Sequence, residues 1–238
     1  HPFGRNVTID GLGNEVSGLN VKLGPAVMKA EEASKPIHYY TKKRTHYGPL
    51  AVWMGRTGLR LAGWKLVGKH PEVPKCVLAC VPHTSNWDFP LTLLATMALS
   101  LPSVFMIKDS LFWWPLGPVL RWLGGIPINR RSPVGIVDQM VQVFDESERL
   151  YVIVTPEGTR KHVEYWKLGF YWIAIKAKAP IQFGIINYKE KWVGVADLFY
   201  PTGNLEEDWK VITAEFQEKV GVTPKYRPKD AMLAEGKG

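Results

Sequence analysis

The 238-residue chain is 46% hydrophobic and 22% charged, which suits a folded domain with an appendage and excludes a disordered chain. Its 30 Lys+Arg against 22 Asp+Glu leave a net charge of +8, so the surface favours anionic partners: nucleic acid, acidic lipid headgroups or phosphorylated co-substrates. No uncharged apolar run reaches the ~18–20 residues that a bilayer-spanning helix needs.

Residues 1–48 are Gly-rich at first and lack sustained periodicity, and read as an N-terminal extension with no assigned role. In "PLAVWMGRTGLRLAGWKLVG" (49–68), Leu50, Trp53, Met54, Leu59 and Leu61 alternate with Arg56, Arg60 and Lys65; this predicts an amphipathic helix or helical hairpin. "CVLACV" (76–81) predicts a short buried strand, and the following run a helix from Ser85 or Asn86. "SVFMIK" (103–108) predicts a strand; "DSLFWWPLGPVLRWLG" (109–124) predicts a helix capped by Asp109 and broken or kinked at Pro115 and Pro118. "GIPINR" (125–130) is a short strand, "SPVGIVDQMVQVFDESER" (132–149) a helix capped by Ser132, and "LYVIVT" (150–155) a buried strand. Residues 165–179 predict mostly helix, 180–188 and 191–200 two strands, and 204–220 a helix capped by Asn204. The end of the chain reads as loosely ordered, with 229–238 a loose tail. Alternating strands and helices predict an α/β domain over 49–228. Its mostly parallel central sheet is flanked by helices, with the amphipathic segment at its N-terminal side.

Cys76 and Cys80, as residues of one strand, lie roughly 13 Å apart, too far for a disulfide. They predict core residues in a reduced compartment. Each Trp taken singly is expected in the core; Trp53, Trp64, Trp113, Trp114 and Trp122, beside basic or apolar neighbours, also suit a membrane interface.

Ligands of a parallel sheet gather at the carboxyl ends of its strands. His83, Lys108, Arg130 and Glu157 share that address. In "VPHTSNWDFP", Asp88 can fix one tautomer of the His83 imidazole while its other nitrogen accepts a proton. The competing reading makes Ser85 or Asn86 a helix cap, Asp88 a partner of the helix dipole and His83 a loop residue. No G-x-S-x-G elbow supplies a nucleophile, so a substrate hydroxyl would take the serine's place. In "TPEGTRK", Gly158 admits close backbone approach, Thr159 offers a hydroxyl, Arg160 a bidentate fork for phosphate or carboxylate, and Glu157 a carboxylate to hold a hydroxyl or an arginine. The alternative is a plain turn with a surface Arg–Glu pair. Arg130 and Arg131 follow a glycine-rich turn and suit an anion site; Lys108 is a weaker candidate of the same kind.

His83-x4-Asp88, Gly125-x4-Arg130 and Pro156-Glu157-Gly158-Thr159-Arg160, in that order, resemble the phospholipid/glycerol acyltransferase family, whose best-known members are the 1-acylglycerol-3-phosphate (lysophosphatidic acid) acyltransferases. "GWKLVG", "KDSLF", "RWLGGIPINR" and "YWKLGFYWIA" extend the resemblance across roughly 49–228. It implies a general base at His83 oriented by Asp88. It implies an acceptor site of Arg130, Glu157, Gly158, Thr159 and Arg160, with the arginines on phosphate and Lys108 added to the same group. The co-substrate would be acyl-CoA or acyl-ACP, with no permanently bound cofactor and no metal. The acceptor would be a lysophospholipid, and the protein would sit on an anionic membrane, peripheral or monotopic, at its cytoplasmic face, with acyl carrier protein a further partner. Phe183 stands where the family's fourth block usually has a second proline, and Thr155 where many members have an aromatic.

The mechanism expected is direct transfer without an acyl-enzyme: His83 takes the acceptor's proton as its oxygen attacks the thioester carbonyl. Asp88 raises the imidazole pKa, so activity falls at acidic pH. Three rival expectations stand beside this one. The same chemistry can serve another lysolipid, an amino-acid lipid or a small hydroxylated molecule. A non-catalytic module can bind anionic lipid or nucleic acid, although no nucleic-acid motif occurs. A metallohydrolase using His83, Asp88 and Glu157 lacks its usual second histidine, His162 being near in sequence only.

Overall fold

The computed structural model describes residues 7–9, 15–17, 47–82, 85–101, 103–129, 135–159, 163–221 and 223–228. The chain forms two compact units, His1–Pro36 and Ile37–Gly238. In the first, β1 (Val7–Ile9) and β2 (Glu15–Ser17) pair antiparallel, Val7 opposite Ser17.

The second unit begins its described part with α1 (Pro49–Leu61), then β3 (Lys65–Val67) and β4 (Lys75–Val81). It continues with α2 (Asp88–Ala98), β5 (Ser103–Lys108), a 3₁₀ turn (Asp109–Leu111) and α3 (Leu116–Leu123). Next come β6 (Gly125–Ile128), α4 (Ile136–Glu146), β7 (Leu150–Val154), β8 (Tyr165–Trp166) and α5 (Gly169–Ala177). The order closes with β9 (Ile181–Asn187), β10 (Trp192–Phe199), α6 (Leu205–Val220) and β11 (Lys225–Tyr226). A seven-stranded sheet runs β3-β10-β9-β4-β7-β5-β6. The five strands from β9 to β6 are mutually parallel; β10 joins β9 antiparallel and carries β3 on the outer edge. The expected mostly parallel α/β architecture is thus the observed one.

Strand β4 shows why the sheet is central. Val77, Ala79 and Val81 enter one buried cluster with residues of α4, α5 and α6. Cys76 and Leu78, one residue out of phase, enter another with Leu101 and Tyr151. A strand buried on both faces reads as an unbroken apolar run, as "CVLACV" does. On the second face α1 packs on α2. A Cβ at Gly55 would lie 2.6 Å from the backbone N of Ala98 and O of Leu94, so only glycine permits that approach.

Several elements differ from expectation for identifiable reasons. Where 49–68 predicts one amphipathic helix or a helical hairpin, a single helix ends at Leu61, and Lys65–Val67 form a strand against β10. Gly63, at φ +75°, turns the chain, and the Trp64 N–H closes on the Leu59 carbonyl. The helix expected over 109–124 becomes a 3₁₀ turn and a short α3. Pro115 sits just before its first residue, and Pro118 falls in the first turn, where a missing N–H costs nothing. Lys225 and Tyr226 form a strand against β8, in a stretch expected to be loose. The cap expected of Ser132 lies outside the described residues, whereas Asn204 does cap α6 by accepting the Glu207 N–H. Trp53, Trp113, Trp114 and Trp122 are exposed rather than in the core, whereas Trp166 and Trp209 are buried.

Candidate active site

Asp88 opens α2 directly after the loop that leaves β4. It is only 3% exposed. Its Oδ2 accepts the Ser85 N–H at 2.8 Å, and its Oδ1 accepts the Tyr188 hydroxyl. The expected capping by Ser85 or Asn86 is therefore reversed in part: the carboxylate reaches back to the Ser85 amide, while Ser85 Oγ accepts the Trp87 N–H at 3.1 Å. Tyr188 follows β9, and β9 pairs with β4 so that Ile185 faces Val81. The register alone carries the tyrosine to the mouth of the β4–α2 loop. Its ring stands edge-on to Trp64, centroids 5.2 Å apart. Burial, and then the bond to Asp88, push the Tyr188 hydroxyl up to about 12.

Beside Asp88 opens a cavity of about 580 Å³, a size common for small-molecule sites. Phe89, Thr92, Leu93 and Thr96 of α2, Phe105, Met106 and Ile107 of β5, and Phe170 and Ile173 of α5 line it. Among the described residues its wall is mostly hydrocarbon, with Asp88, Tyr47, Cys80 and Lys167 the titratable side chains on it. Burial pushes the Cys80 thiol up to about 12, so it is an inert neutral wall group at ordinary pH.

The turn after β7 forms another part of the wall, with Thr155 and Gly158 lining the cavity. The Gly158 N–H bonds the Thr155 carbonyl at 3.0 Å, and Gly158 takes φ +64°. A side chain there would meet the Lys167 ammonium at 2.9 Å, so the missing Cβ leaves room for that cation. Glu157 and Thr159 are half-buried in the same turn. Lys108 ends β5 and is exposed, while its neighbour Ile107 lines the cavity. Structure thus brings Asp88, Thr155 and Gly158 to one cavity. His83, Arg130, Arg160, Arg131 and His162 lie outside the described residues. Tyr188 and Lys167 were not singled out by the motifs. Tyr188 is the last apolar-patterned residue of a strand run, and Lys167 sits within quoted family wording, but neither spacing marks a side chain that reaches Asp88 or Gly158. Among the described residues, no group of three or more His, Cys, Asp or Glu could hold a metal ion, and no helix is long and apolar enough to cross a membrane.

The family model described as Acyltransferase matches residues 68–183. This segment of the chain belongs to the acyltransferase family. The acyltransferase segment takes in His83, Asp88, Lys108, Arg130 and residues 157–160, in agreement with the resemblance drawn from the ordered motifs, and the match supports acyltransferase activity. Tyr188 lies beyond its end. A search of curated proteins found no match. Among solved structures, the chain is similar to the 1-acyl-sn-glycerophosphate (LPA) acyltransferase PlsC from Thermotoga maritima. The two are 15% identical, with 73% of this chain and 80% of that chain covered and a TM-score of 0.49.

Proposed function

We propose that the chain transfers a fatty acyl group from an acyl thioester to a hydroxyl of a lysophospholipid, in the first place 1-acyl-sn-glycerol-3-phosphate, giving phosphatidic acid. The observation that carries this reading is a buried carboxylate, Asp88, on the wall of an apolar cavity of about 580 Å³ within the acyltransferase segment. Hydrocarbon walls suit an acyl chain; the carboxylate suits proton handling where the chain's carbonyl would emerge. His83 takes the acceptor hydroxyl's proton as the oxygen bonds to the carbonyl carbon. The carbon–sulfur bond breaks, and the proton passes to the departing thiolate. Asp88 steadies the imidazolium. Arg130 and Arg160 meet the acceptor phosphate; Glu157, Gly158, Thr159 and Lys108 complete the acceptor side, and Lys167 adds a cation at the cavity wall. The donor is acyl-CoA or acyl-ACP.

A peripheral or monotopic position on the cytoplasmic face of an anionic membrane fits the net charge of +8 and the exposure of Trp53, Trp113, Trp114 and Trp122. The deciding experiment incubates the purified protein with labelled acyl-CoA or acyl-ACP and a panel of lysolipids and uncharged alcohols, with products identified by mass. Phosphatidic acid formation that is lost in His83→Ala is the expected result. Full activity in His83→Ala, or transfer to uncharged alcohols with none to lysophosphatidate, overturns the base or the phosphate site respectively.

A further inference from the structure

We propose that Tyr188 is a positioning residue for acyl transfer, its hydroxyl holding one oxygen of Asp88 so that the carboxylate keeps a single orientation and a moderated charge toward the base. This rests on the function proposed above, and it adds a residue that lies outside the 68–183 family segment. Three observations converge on it. The Tyr188 hydroxyl donates to Asp88 Oδ1 while the Ser85 amide holds Oδ2. Sheet pairing between β4 and β9 delivers the tyrosine to the loop, and Trp64 stands edge-on to its ring. The Asp88 end of this pair lines the cavity.

The Tyr188 hydroxyl, pushed up to about 12, keeps its proton and so its donor role near neutral pH. Among the described residues, the other titratable groups facing the cavity are Tyr47, Cys80 and Lys167, and Cys80 is likewise held neutral. Lys189, Glu190 and Lys191, in the turn after Tyr188, are exposed, and solvent screens them. Deleting the tyrosine O–H leaves more negative charge on Asp88, which favours a protonated base.

Tyr188→Phe keeps the ring against Trp64 and removes only the hydroxyl. The expected result is a kcat lower by about threefold to tenfold with little change in KM. The acidic limb of kcat/KM should move to higher pH by about half a unit. In an Asp88→Asn background, Tyr188→Phe should cause little further loss. If Asp88→Asn is crippled while Tyr188→Phe matches the parent in kcat and in pH profile, the positioning role is wrong and the proposed function stands. If Asp88→Asn is itself fully active, both fall. A Tyr188→Phe loss that comes with a lower melting temperature and an unmoved acidic limb marks a merely structural tyrosine and also overturns the proposal.

Discussion

Two buried aspartates among the described residues stand in the first turn of a helix, each bonded by a tyrosine hydroxyl, and they face different surroundings. Asp208, at 2% exposure, accepts Tyr171 Oη at 2.7 Å, the Thr202 N–H at 2.8 Å and the Thr202 hydroxyl at 2.9 Å. Its tyrosine is wholly buried, and its neighbour one turn on, Ile212, is packed solid in the main core. Asp88 is as deeply buried, but its tyrosine is 39% exposed and its neighbour one turn on, Thr92, lines the cavity. Burial of a carboxylate therefore does not by itself tell a cavity wall from the core. What separates the two is whether the helix face beyond the carboxylate meets core or empty space.

The sharpest way to break the comparison is to neutralise each carboxylate. Asp88→Asn should lower acyl transfer by about a thousandfold or more with the fold retained, as read by steady-state assay and circular dichroism. Asp208→Ala should leave turnover per folded molecule nearly intact. By stranding the Tyr171 and Thr202 donors it should cost about 2–4 kcal/mol in urea unfolding. Reversal of the two phenotypes would mean that the roles have been exchanged.

Alkaline titration tests the tyrosines. Burial, and then the hydrogen bond to Asp208, hold the Tyr171 hydroxyl far above its ordinary 10.0; Tyr188 rises to about 12 through burial and then its own bond to Asp88. Above about pH 10 the unfolded chain releases tyrosine protons that the folded chain keeps, so stability present below that pH is lost as pH rises through the folded values. Tyr171→Phe should flatten this loss more than Tyr188→Phe, as measured by urea midpoints across the alkaline range. Equal flattening would erase the distinction between the sites.

The smallest effect concerns the neighbours one turn on. Thr92→Phe should fill part of the cavity, leave stability within about 1–2 kcal/mol, and lower the preference for long over short acyl donors by about tenfold. Ile212→Ala should cost about 2–5 kcal/mol and leave chain-length preference unmoved. Donor competition assays and melting curves read both.

Much of this was legible in the sequence because it rests on local pattern. The parallel sheet follows from apolar runs such as "CVLACV" and "SVFMIK", the latter matching β5 at both ends. The ordered motif blocks led to the family. What was not legible depends on register and on very short elements. Three residues, Lys65 to Val67, carry too little pattern to separate strand from helix, and β11 is shorter still. The bond between Tyr188 and Asp88 joins residues 100 positions apart; only the pairing of β9 with β4 makes them neighbours, and no spacing along the chain encodes it. The exposed tryptophans illustrate the same point from outside: an indole's apolar bulk does not say whether core or solvent will receive it.

The tight seat of α1 on α2 at Gly55 has a mechanical consequence. Leu50, Trp53, Met54 and Leu61 occupy the outward side of α1, and its inward side touches the backbone of the helix whose first residue is Asp88. Axes packed this closely are about 8 Å apart. At Gly55 itself no side chain of α1 separates the two backbones, so a bulkier residue there should push aside the rod that carries the carboxylate.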